Sequence, residues 1–241
     1  MTEQLFSRDC YLKEFDATVV AANGKEIELD RTAFYPNSGG QPDDTGLISF
    51  GNEDYIVGSV RKDKGRILHV VDREGLKEGD SVHGQVDWVR RYIHMRYHTA
   101  SHVLSGVVYR ATGAEITGNQ ISAEKTRIDF DLENFDRAKL KEYEEKANNV
   151  LAENYPVVIR FISRDEAAKI PNVTKLAMGL PEAVKEVRIV SVEGFEQEAC
   201  GGTHLANTSE AGRIEIIGAE NKGKNNRRVY FRLKGGEEEG A

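Results

Sequence analysis

The chain has few cysteines and no long apolar run among its 241 residues. It contains two cysteines, Cys10 and Cys200. No stretch approaches the ~18 consecutive apolar residues that a membrane-spanning helix needs, and residues 1–5 carry no secretory signal. These features predict a cytoplasmic protein with no membrane segment, in which a disulfide is unfavoured. We therefore interpret Cys10 as a small core residue and expect a different role for Cys200.

Positive charge is also scarce. The formal net charge is −7, which excludes a generally basic nucleic-acid-binding protein. One local exception lies between Lys222 and Lys234, a segment that contains no acidic residue. We predict that this basic segment binds the phosphate groups of a nucleic acid. Its candidate residues are Lys222, Lys224, Arg227 and Arg228. The alternative is that these charges only make the surface soluble, and nothing in the sequence points to an obligate protein partner.

The first of two candidate metal-binding motifs is a pair of histidines on a predicted helix. Apolar residues recur at helical spacing from Trp88 to Ala111, and this segment contains H-T-A-S-H, with His98 and His102. Residues four apart on a helix are neighbours, so both imidazoles can reach one ion. The alternative is two surface histidines on a solvated face. The motif lacks the glutamate of H-E-x-x-H, so a zinc-protease mechanism has no support. One turn earlier, His94 could support the metal ligands from behind, but the favoured account is a solvent-exposed histidine.

The second candidate motif is C-G-G-T-H, which contains Cys200 and His204. Its two glycines allow the backbone to turn tightly and bring these side chains towards one point. Three imidazoles and one thiolate form a ligand set typical of tetrahedral Zn²⁺. Each motif alone is weak evidence for a metal site, but together they supply the types and number of ligands that complete one. The sequence therefore predicts one Zn²⁺ per chain, held by His98, His102, Cys200 and His204.

The order of predicted elements indicates an α+β fold. Residues 1–87 are expected to be rich in strands, with turns at Asn23-Gly24 and around Gly65. A loop dense in glycine and polar residues, from Phe34 to Gly46, interrupts them, and its Gly39-Gly40 pair would let a ligand approach the backbone closely. The second half combines helices and antiparallel strands in blocks, which argues against a parallel doubly wound sheet. Residues 235–241 are expected to form a disordered tail.

These motifs resemble a known family. The editing domain shared by alanyl- and threonyl-tRNA synthetases is similar in having H-T-A-S-H followed far downstream by C-G-G-T-H. The glycine-rich segment that precedes this domain in alanyl-tRNA synthetases resembles F-Y-P-N-S-G-G-Q-P-D-D-T-G, and the family's closing hairpin resembles R-I-E-I-I-G-A-E-N-K-G-K-N-N-R-R-V-Y-F. The resemblance covers nearly the whole chain and leaves nothing for an aminoacylation domain. The chain is therefore similar to the free-standing alanyl-tRNA editing proteins of the AlaX type, in their medium-length form.

The resemblance implies an architecture and a function. It implies a small β-barrel-like domain at residues 1–87, a zinc-containing editing domain at 88–234, built as a two-layer α/β structure with an antiparallel sheet, and a tail at 235–241. It implies a trans-editing hydrolase of protein biosynthesis that deacylates mischarged tRNA(Ala), chiefly Ser-tRNA(Ala), with Gly-tRNA(Ala) as a further candidate. The basic segment would then hold the acceptor stem.

The resemblance also implies roles for several polar residues. Ser101 stands beside the second histidine, where its hydroxyl could contact the substrate. A glutamine common in relatives is replaced here by Gly118, so that either the nearby Gln120 takes its catalytic role or the position is not needed. A site that hydrogen-bonds the serine hydroxyl prefers serine over alanine, because alanine would leave its polar groups unpaired. The candidates for this contact are Ser101, Thr203 and the loop of Gly39 and Gly40.

Three questions stay open at the level of sequence. Four protein ligands usually mean a closed, structural zinc site, so catalysis at the ion needs a fifth ligand or the release of one; otherwise the ion only positions the substrate. One rival function is a zinc-dependent hydrolase of a small ester or amide. We expect no carboxylate near either metal motif, which counts against this rival. The other rival function is a non-catalytic RNA-binding module with a structural zinc.

Overall fold

The computed structural model describes residues 2–133, 137–170, 173 and 186–235. They form two compact units, of which the first ends at His94 and the second begins at Met95. This point lies within the long helix α1 (Trp88–Thr112), a little beyond the predicted domain limit at residue 87. Apart from Gly235, the predicted tail lies outside the described residues. In the part of the chain that is described, no helix is both long and apolar enough to cross a membrane.

The first unit contains a closed barrel of antiparallel strands. The strands of the unit are β1 (Glu3–Gln4), β2 (Glu14–Asn23), β3 (Glu26–Leu29), β4 (Arg31–Thr32), β5 (Gly46–Phe50), β6 (Glu53–Asp63), β7 (Arg66–Val71) and β8 (Ser81–Val86). Six of them close the barrel in the order β2-β3-β7-β6-β5-β8, while β1 and β4 form a short parallel pair. The predicted barrel-like fold is confirmed, and so are the two hairpins β2-β3 and β6-β7.

Alternation along the strands fills the barrel with apolar side chains. In β2, Phe15, Ala17 and Val19 are buried, while the residues between them are exposed. Burying a side chain of this kind contributes roughly 1.5–3 kcal/mol for Val, Leu, Ile or Phe. One histidine, His69, also lies in this core without exposure to solvent. Its Nδ1 lies 3.1 Å from the carbonyl oxygen of Ile27 and its Nε2 lies 2.9 Å from Thr32 Oγ1.

The glycine-rich loop between β4 and β5 is anchored by a buried ion pair. Both oxygens of Asp44 accept hydrogen bonds from Arg91 Nε, at 3.1 and 3.0 Å, and Asp44 Oδ2 also accepts from the backbone N–H of Tyr35 at 2.6 Å. Both charged side chains are fully buried. Removing one partner of such a pair leaves an uncompensated buried charge, so each residue depends on the other.

The tip of this loop is a two-residue hairpin turn. The backbones of Ser38 and Gln41 exchange two hydrogen bonds of 3.2 and 3.0 Å around Gly39 and Gly40. These glycines have φ values of +58° and +81°. Positive φ at both central residues is typical of a type I′ turn, which glycine adopts without steric cost. The conformation of the turn is therefore one reason for the Gly-Gly pair.

The second unit packs helices on antiparallel sheets. Besides most of α1, its elements are β9 (Ile116–Ile121), β10 (Thr126–Phe130), α2 (Arg137–Ala152), β11 (Val157–Ser163), α3 (Arg164–Ala167), β12 (Glu186–Val192), β13 (Glu196–Ala199), β14 (Arg213–Asn221) and β15 (Arg227–Lys234). The strands form a four-stranded sheet, β14-β15-β10-β9, and a separate three-stranded sheet, β11-β12-β13. The predicted α+β class with antiparallel pairing is confirmed, and the described residues of this unit form two sheets.

Two contacts fix helices against the four-stranded sheet. The rings of Tyr97 in α1 and Phe231 in β15 lie 5.9 Å apart between centroids. The side-chain amide of Asn148 in α2 donates to the carbonyl of Ile214 at 2.9 Å and accepts from the N–H of the same residue at 2.7 Å. The interior face of the sheet therefore packs on the helices, and α1 is held where its histidines are buried. His94, expected to be exposed, is also buried.

Candidate metal centre

The four predicted metal ligands come together within the second unit. His98 and His102 lie one turn apart on α1, and Cys200 and His204 lie in the loop that follows β13. Their ligand atoms all lie within 4.8 Å of one another. Cys200 Sγ lies 3.5 Å from His98 Nε2 and 3.4 Å from His204 Nε2. All three histidines are buried, so the alternative of two histidines on a solvated helix face is wrong.

The geometry and chemistry of this cluster fit Zn²⁺. Tetrahedral coordination with Zn–N near 2.0–2.1 Å and Zn–S near 2.3 Å implies an N···S separation of about 3.5 Å, which both measured distances match. Burial opposes ionisation of the Cys200 thiol, but the charges of the three imidazoles and a hydrogen bond from His102 outweigh it and hold the pKa of Cys200 well below its ordinary value. Burial and the charges of His98 and His102 lower the pKa of His204. Thiolate and neutral imidazole are the forms that bind a metal.

Thr99 supports His204 and was not predicted. Its Oγ1 lies 3.2 Å from His204 Nδ1 and accepts a hydrogen bond of 3.1 Å from the N–H of Leu205. Because Nδ1 faces Thr99, Nε2 is the nitrogen that faces Cys200. A hydroxyl bonded to the outer ring nitrogen fixes the orientation of a ligand imidazole. The sequence feature that could have identified Thr99 is its position inside the H-T-A-S-H motif, directly after His98.

Two buried carboxylates lie beside His102, which corrects the expectation that no carboxylate is near the metal motifs. His102 Nδ1 lies 3.2 Å from Glu196 Oε1 and 3.8 Å from Glu198 Oε2, and the two glutamate side chains are only 5% and 6% exposed. Both belong to β13, a strand that was not predicted. A signal was present, because Glu196, Glu198 and Cys200 are two residues apart and side chains at that spacing share one face of an extended chain. The argument against a small-ester hydrolase is thereby lost.

The remaining residues with predicted substrate roles have different surroundings. Ser101 is buried on α1, and its Oγ donates a hydrogen bond of 2.7 Å to the carbonyl of Tyr97. Thr203 is fully buried in the loop between Cys200 and His204. Gln120 is exposed on β9 opposite Arg127. Strand alternation turns it away from the sheet face that packs on α1, so the structure does not gather Gln120 with the metal ligands. Gly39 and Gly40 belong to the first unit.

The predicted nucleic-acid-binding residues divide into two exposed lysines and two engaged arginines. Lys222 and Lys224 are exposed, and Lys222 Nζ lies 2.7 Å from Glu220 Oε2. Arg227 is buried and donates to the carbonyl of Gly223 at 2.7 Å, which stabilises the turn between β14 and β15. Arg228 donates to both carboxylate oxygens of Asp129, at 2.7 and 2.8 Å. The lysines are therefore the more available cations of this segment.

Comparison with known proteins matches both units to synthetase families. Residues 7–90 match the family described as tRNA synthetases class II (A). Residues 187–230, which include Cys200 and His204, match the threonyl and alanyl tRNA synthetase second additional domain. An alanine–tRNA ligase from Ignicoccus hospitalis is 41% identical over 219 residues, which cover 90% of this chain and 24% of the ligase.

Other relatives match from end to end. The alanyl-tRNA editing protein AlaX-M of Methanosarcina barkeri is 52% identical over 242 residues, which cover 97% of this chain and 99% of that protein. AlaX-M of Saccharolobus solfataricus is 43% identical over 237 residues, which cover 97% of this chain and all of that protein. On the strength of this identity, which extends over nearly the whole length of both proteins, the chain belongs to the AlaX-M family of alanyl-tRNA editing proteins.

Proposed function

We propose that this protein is a trans-editing aminoacyl-tRNA deacylase. It hydrolyses the ester bond of mischarged tRNA(Ala), chiefly Ser-tRNA(Ala), with Gly-tRNA(Ala) as a second candidate substrate. The observation that carries the proposal is the cluster of three buried imidazoles and one partly buried thiol, whose ligand atoms lie within 4.8 Å of one another. The names of the AlaX-M relatives, which describe alanyl-tRNA editing, support the assignment of substrate class.

Zn²⁺ is the ion that this donor set fits, and His98, His102, Cys200 and His204 would hold it. When bound, such an ion polarises an ester carbonyl and lowers the pKa of a water molecule towards neutrality. The chain's own contribution is to present the ligands in their binding forms. Thr99 orients His204 through its Nδ1, and the neighbouring imidazoles favour the thiolate of Cys200.

Serine would be distinguished from alanine by hydrogen bonding to its hydroxyl. Ser101 and Thr203 are buried hydroxyl groups directly before His102 and His204. Ser101 donates a hydrogen bond to the carbonyl of Tyr97, and its oxygen can then accept a hydrogen bond from the hydroxyl of the substrate serine. Alanine makes no such bond, so buried polar groups would stay unpaired when it enters. The Gly39-Gly40 loop and Gln120 remain further candidates for contacting the substrate.

The test is the rate of deacylation of Ser-tRNA(Ala) compared with Ala-tRNA(Ala). We expect rapid loss of serine while alanine is spared, and loss of this activity in Cys200→Ala. The second cysteine supplies a matched control, because Cys10 is buried near Phe6 in the first unit and Cys10→Ala should keep the activity. Full activity in Cys200→Ala after loss of stoichiometric zinc would contradict a catalytic role for the metal.

A second candidate is a non-catalytic RNA-binding module with a structural zinc, which is favoured by the complete set of four protein ligands. One zinc per chain with no loss of either aminoacyl ester would support this candidate. The carboxylates beside His102 favour a third candidate function, a hydrolase of small esters. Equal hydrolysis of serine methyl ester and Ser-tRNA(Ala) would support that reading and remove the need for tRNA.

A further inference from the structure

We propose that Glu196 is the positioning residue of the metal ligand His102 and sets how tightly the chain holds its metal ion. The inference rests on the metal site of the proposed function and adds a residue to it. Two features support it: the short contact between the carboxylate and the imidazole, and the way in which strand β13 and helix α1 approach each other.

The contact selects one nitrogen of His102 for the metal. Glu196 Oε1 lies 3.2 Å from His102 Nδ1, and the two side chains are 5% and 7% exposed. A neutral imidazole carries a single N–H. If Nδ1–H is directed at the carboxylate, Nε2 keeps its lone pair for the ion, and the ring is held in one orientation. Poor access of water would make a hydrogen bond between these two groups stronger than it would be at the surface.

Two features of the fold bring Glu196 to His102: the register of strand β13 and the lack of a side chain at Gly106 on α1. Strand β13 pairs antiparallel with β12, with Glu196 opposite Val192. On α1, Gly106 lies one turn after His102. A Cβ at this position would lie 2.9 Å from the ring of Phe195 and 3.2 Å from Glu196 Oε2. The absence of a side chain at Gly106 therefore lets Glu196 approach the helix closely enough to reach His102.

Glu198 provides a natural comparison. It carries the same charge on the same strand face, but its Oε2 lies 3.8 Å from His102 Nδ1, beyond hydrogen-bonding distance. Both carboxylates attract a cation by their charge, whereas the shorter contact allows only Glu196 to orient the ring through Nδ1–H. A substitution that removes the charge but keeps a hydrogen-bond acceptor can therefore distinguish orientation of the His102 ring from electrostatic attraction of the metal ion.

The experiment measures the zinc dissociation constant of the full chain by competition with a chromophoric chelator. Loss of a partner that orients a ligand histidine weakens metal binding about 10- to 100-fold, and we expect this for Glu196→Ala. Glu196→Gln keeps a carbonyl acceptor and should recover most of the affinity. Glu198→Gln should change it little. Gly106→Ala, which crowds Glu196, should weaken binding in the same direction as Glu196→Ala.

The absorption spectrum of the Co²⁺-substituted protein gives a readout that a loss of stability alone does not move. Its ligand-field bands should shift in Glu196→Ala and stay unchanged in Glu198→Gln, with far-UV circular dichroism confirming that each variant is folded. Unchanged zinc affinity in Glu196→Ala would overturn the inference. Equal weakening by Glu196→Gln, Glu198→Gln and Glu196→Ala would also overturn it, in favour of charge alone. A wild-type chain that binds no zinc would overturn the proposed site itself, and the inference with it.

Discussion

At the scale of single residues, two deeply buried histidines have different roles. His204 lies among the other candidate metal ligands, His98, His102 and Cys200. His69 lies in the barrel core, where its partners are a carbonyl oxygen and a hydroxyl. Burial lowers the pKa of His69 to about 4, although its hydrogen bond to Ile27 opposes the shift. His69 is therefore neutral in the folded barrel at every pH near neutrality.

Acid is expected to destabilise the first unit through His69. The unfolded chain takes up a proton on this side chain below about pH 6.5, while the folded chain does so only near pH 4. The contribution present above pH 6.5 is therefore lost as the pH falls towards 4, by about 2 kcal/mol at pH 5. Urea unfolding at neutral pH and at pH 5 measures it. His69→Gln should lose less free energy of unfolding on acidification than the wild type.

A control for this prediction is His83, which is 46% exposed and lies 2.9 Å from Asp16. His83→Gln should keep the wild-type loss between the two pH values, because His83 lies at the surface and not in the barrel core. An identical pH dependence in wild type and His69→Gln would show that another group carries the acid sensitivity.

At the scale of elements, the Gly39-Gly40 turn connects conformation with selectivity. Among the described residues, nothing lies within 4 Å of a Cβ built at Gly39, so the cost of a substitution there comes from its positive φ rather than from a clash. Gly39→Val should lower the free energy of unfolding by about 1–2 kcal/mol. Gly39→Asn is the matched control, because asparagine tolerates this conformation in a type I′ turn.

The same variants test the predicted role of the loop in the substrate site. We expect Gly39→Val to reduce the preference for Ser-tRNA(Ala) over Ala-tRNA(Ala), and Gly39→Asn to keep more of it. The measurement is the ratio of the two deacylation rates. A wild-type ratio in a destabilised Gly39→Val variant would limit the glycine pair to a conformational role.

Elements that local sequence determines were predictable, and those that depend on distant partners were not. The hairpins β2-β3 and β6-β7 follow from turn residues such as Gly24 and Gly65, which have positive φ. Strand β13 was missed because its four residues contain two glutamates, which suggest solvent exposure. The side chains of those glutamates are buried beside His102, which lies almost a hundred residues earlier in the chain.

The metal ligands themselves could be predicted because each pair is encoded within five residues. Their mutual approach could not be calculated from the sequence, since it depends on how α1 and the loop after β13 are arranged in the second unit. Thr99 and Glu196 required the structure for the same reason. The roles of Arg227 and Arg228 also needed it, because a basic run in the sequence does not reveal that the carbonyl of Gly223 and the carboxylate of Asp129 already accept hydrogen bonds from them.

At the scale of the whole molecule, net negative charge opposes binding of a polyanion. With a charge of −7, binding of tRNA needs local cations, and Lys222 and Lys224 are the exposed members of the basic segment. The double variant Lys222→Ala/Lys224→Ala should weaken binding and reduce the slope of log K against log salt by about 2, because each lysine would otherwise neutralise one phosphate group. Titration of tRNA at several salt concentrations measures this slope.

Lys146→Ala provides the comparison, since Lys146 is an exposed lysine on α2 paired with Glu142. It removes a charge from a different surface and should leave the salt dependence close to that of the wild type. A slope that falls equally in both variants would indicate that overall charge, rather than this segment, governs the encounter with tRNA.

The buried pair of Asp44 and Arg91 has a consequence for how this chain can evolve. Loss of either partner costs about 3–5 kcal/mol, a large part of the 5–15 kcal/mol by which a typical domain is stable. A lineage that replaces one residue first must pass through a chain that has lost much of its stability. We therefore expect the aspartate near the end of the glycine-rich loop and the arginine at the start of α1 to be inherited together, and insertions or deletions that shift one relative to the other to be selected against.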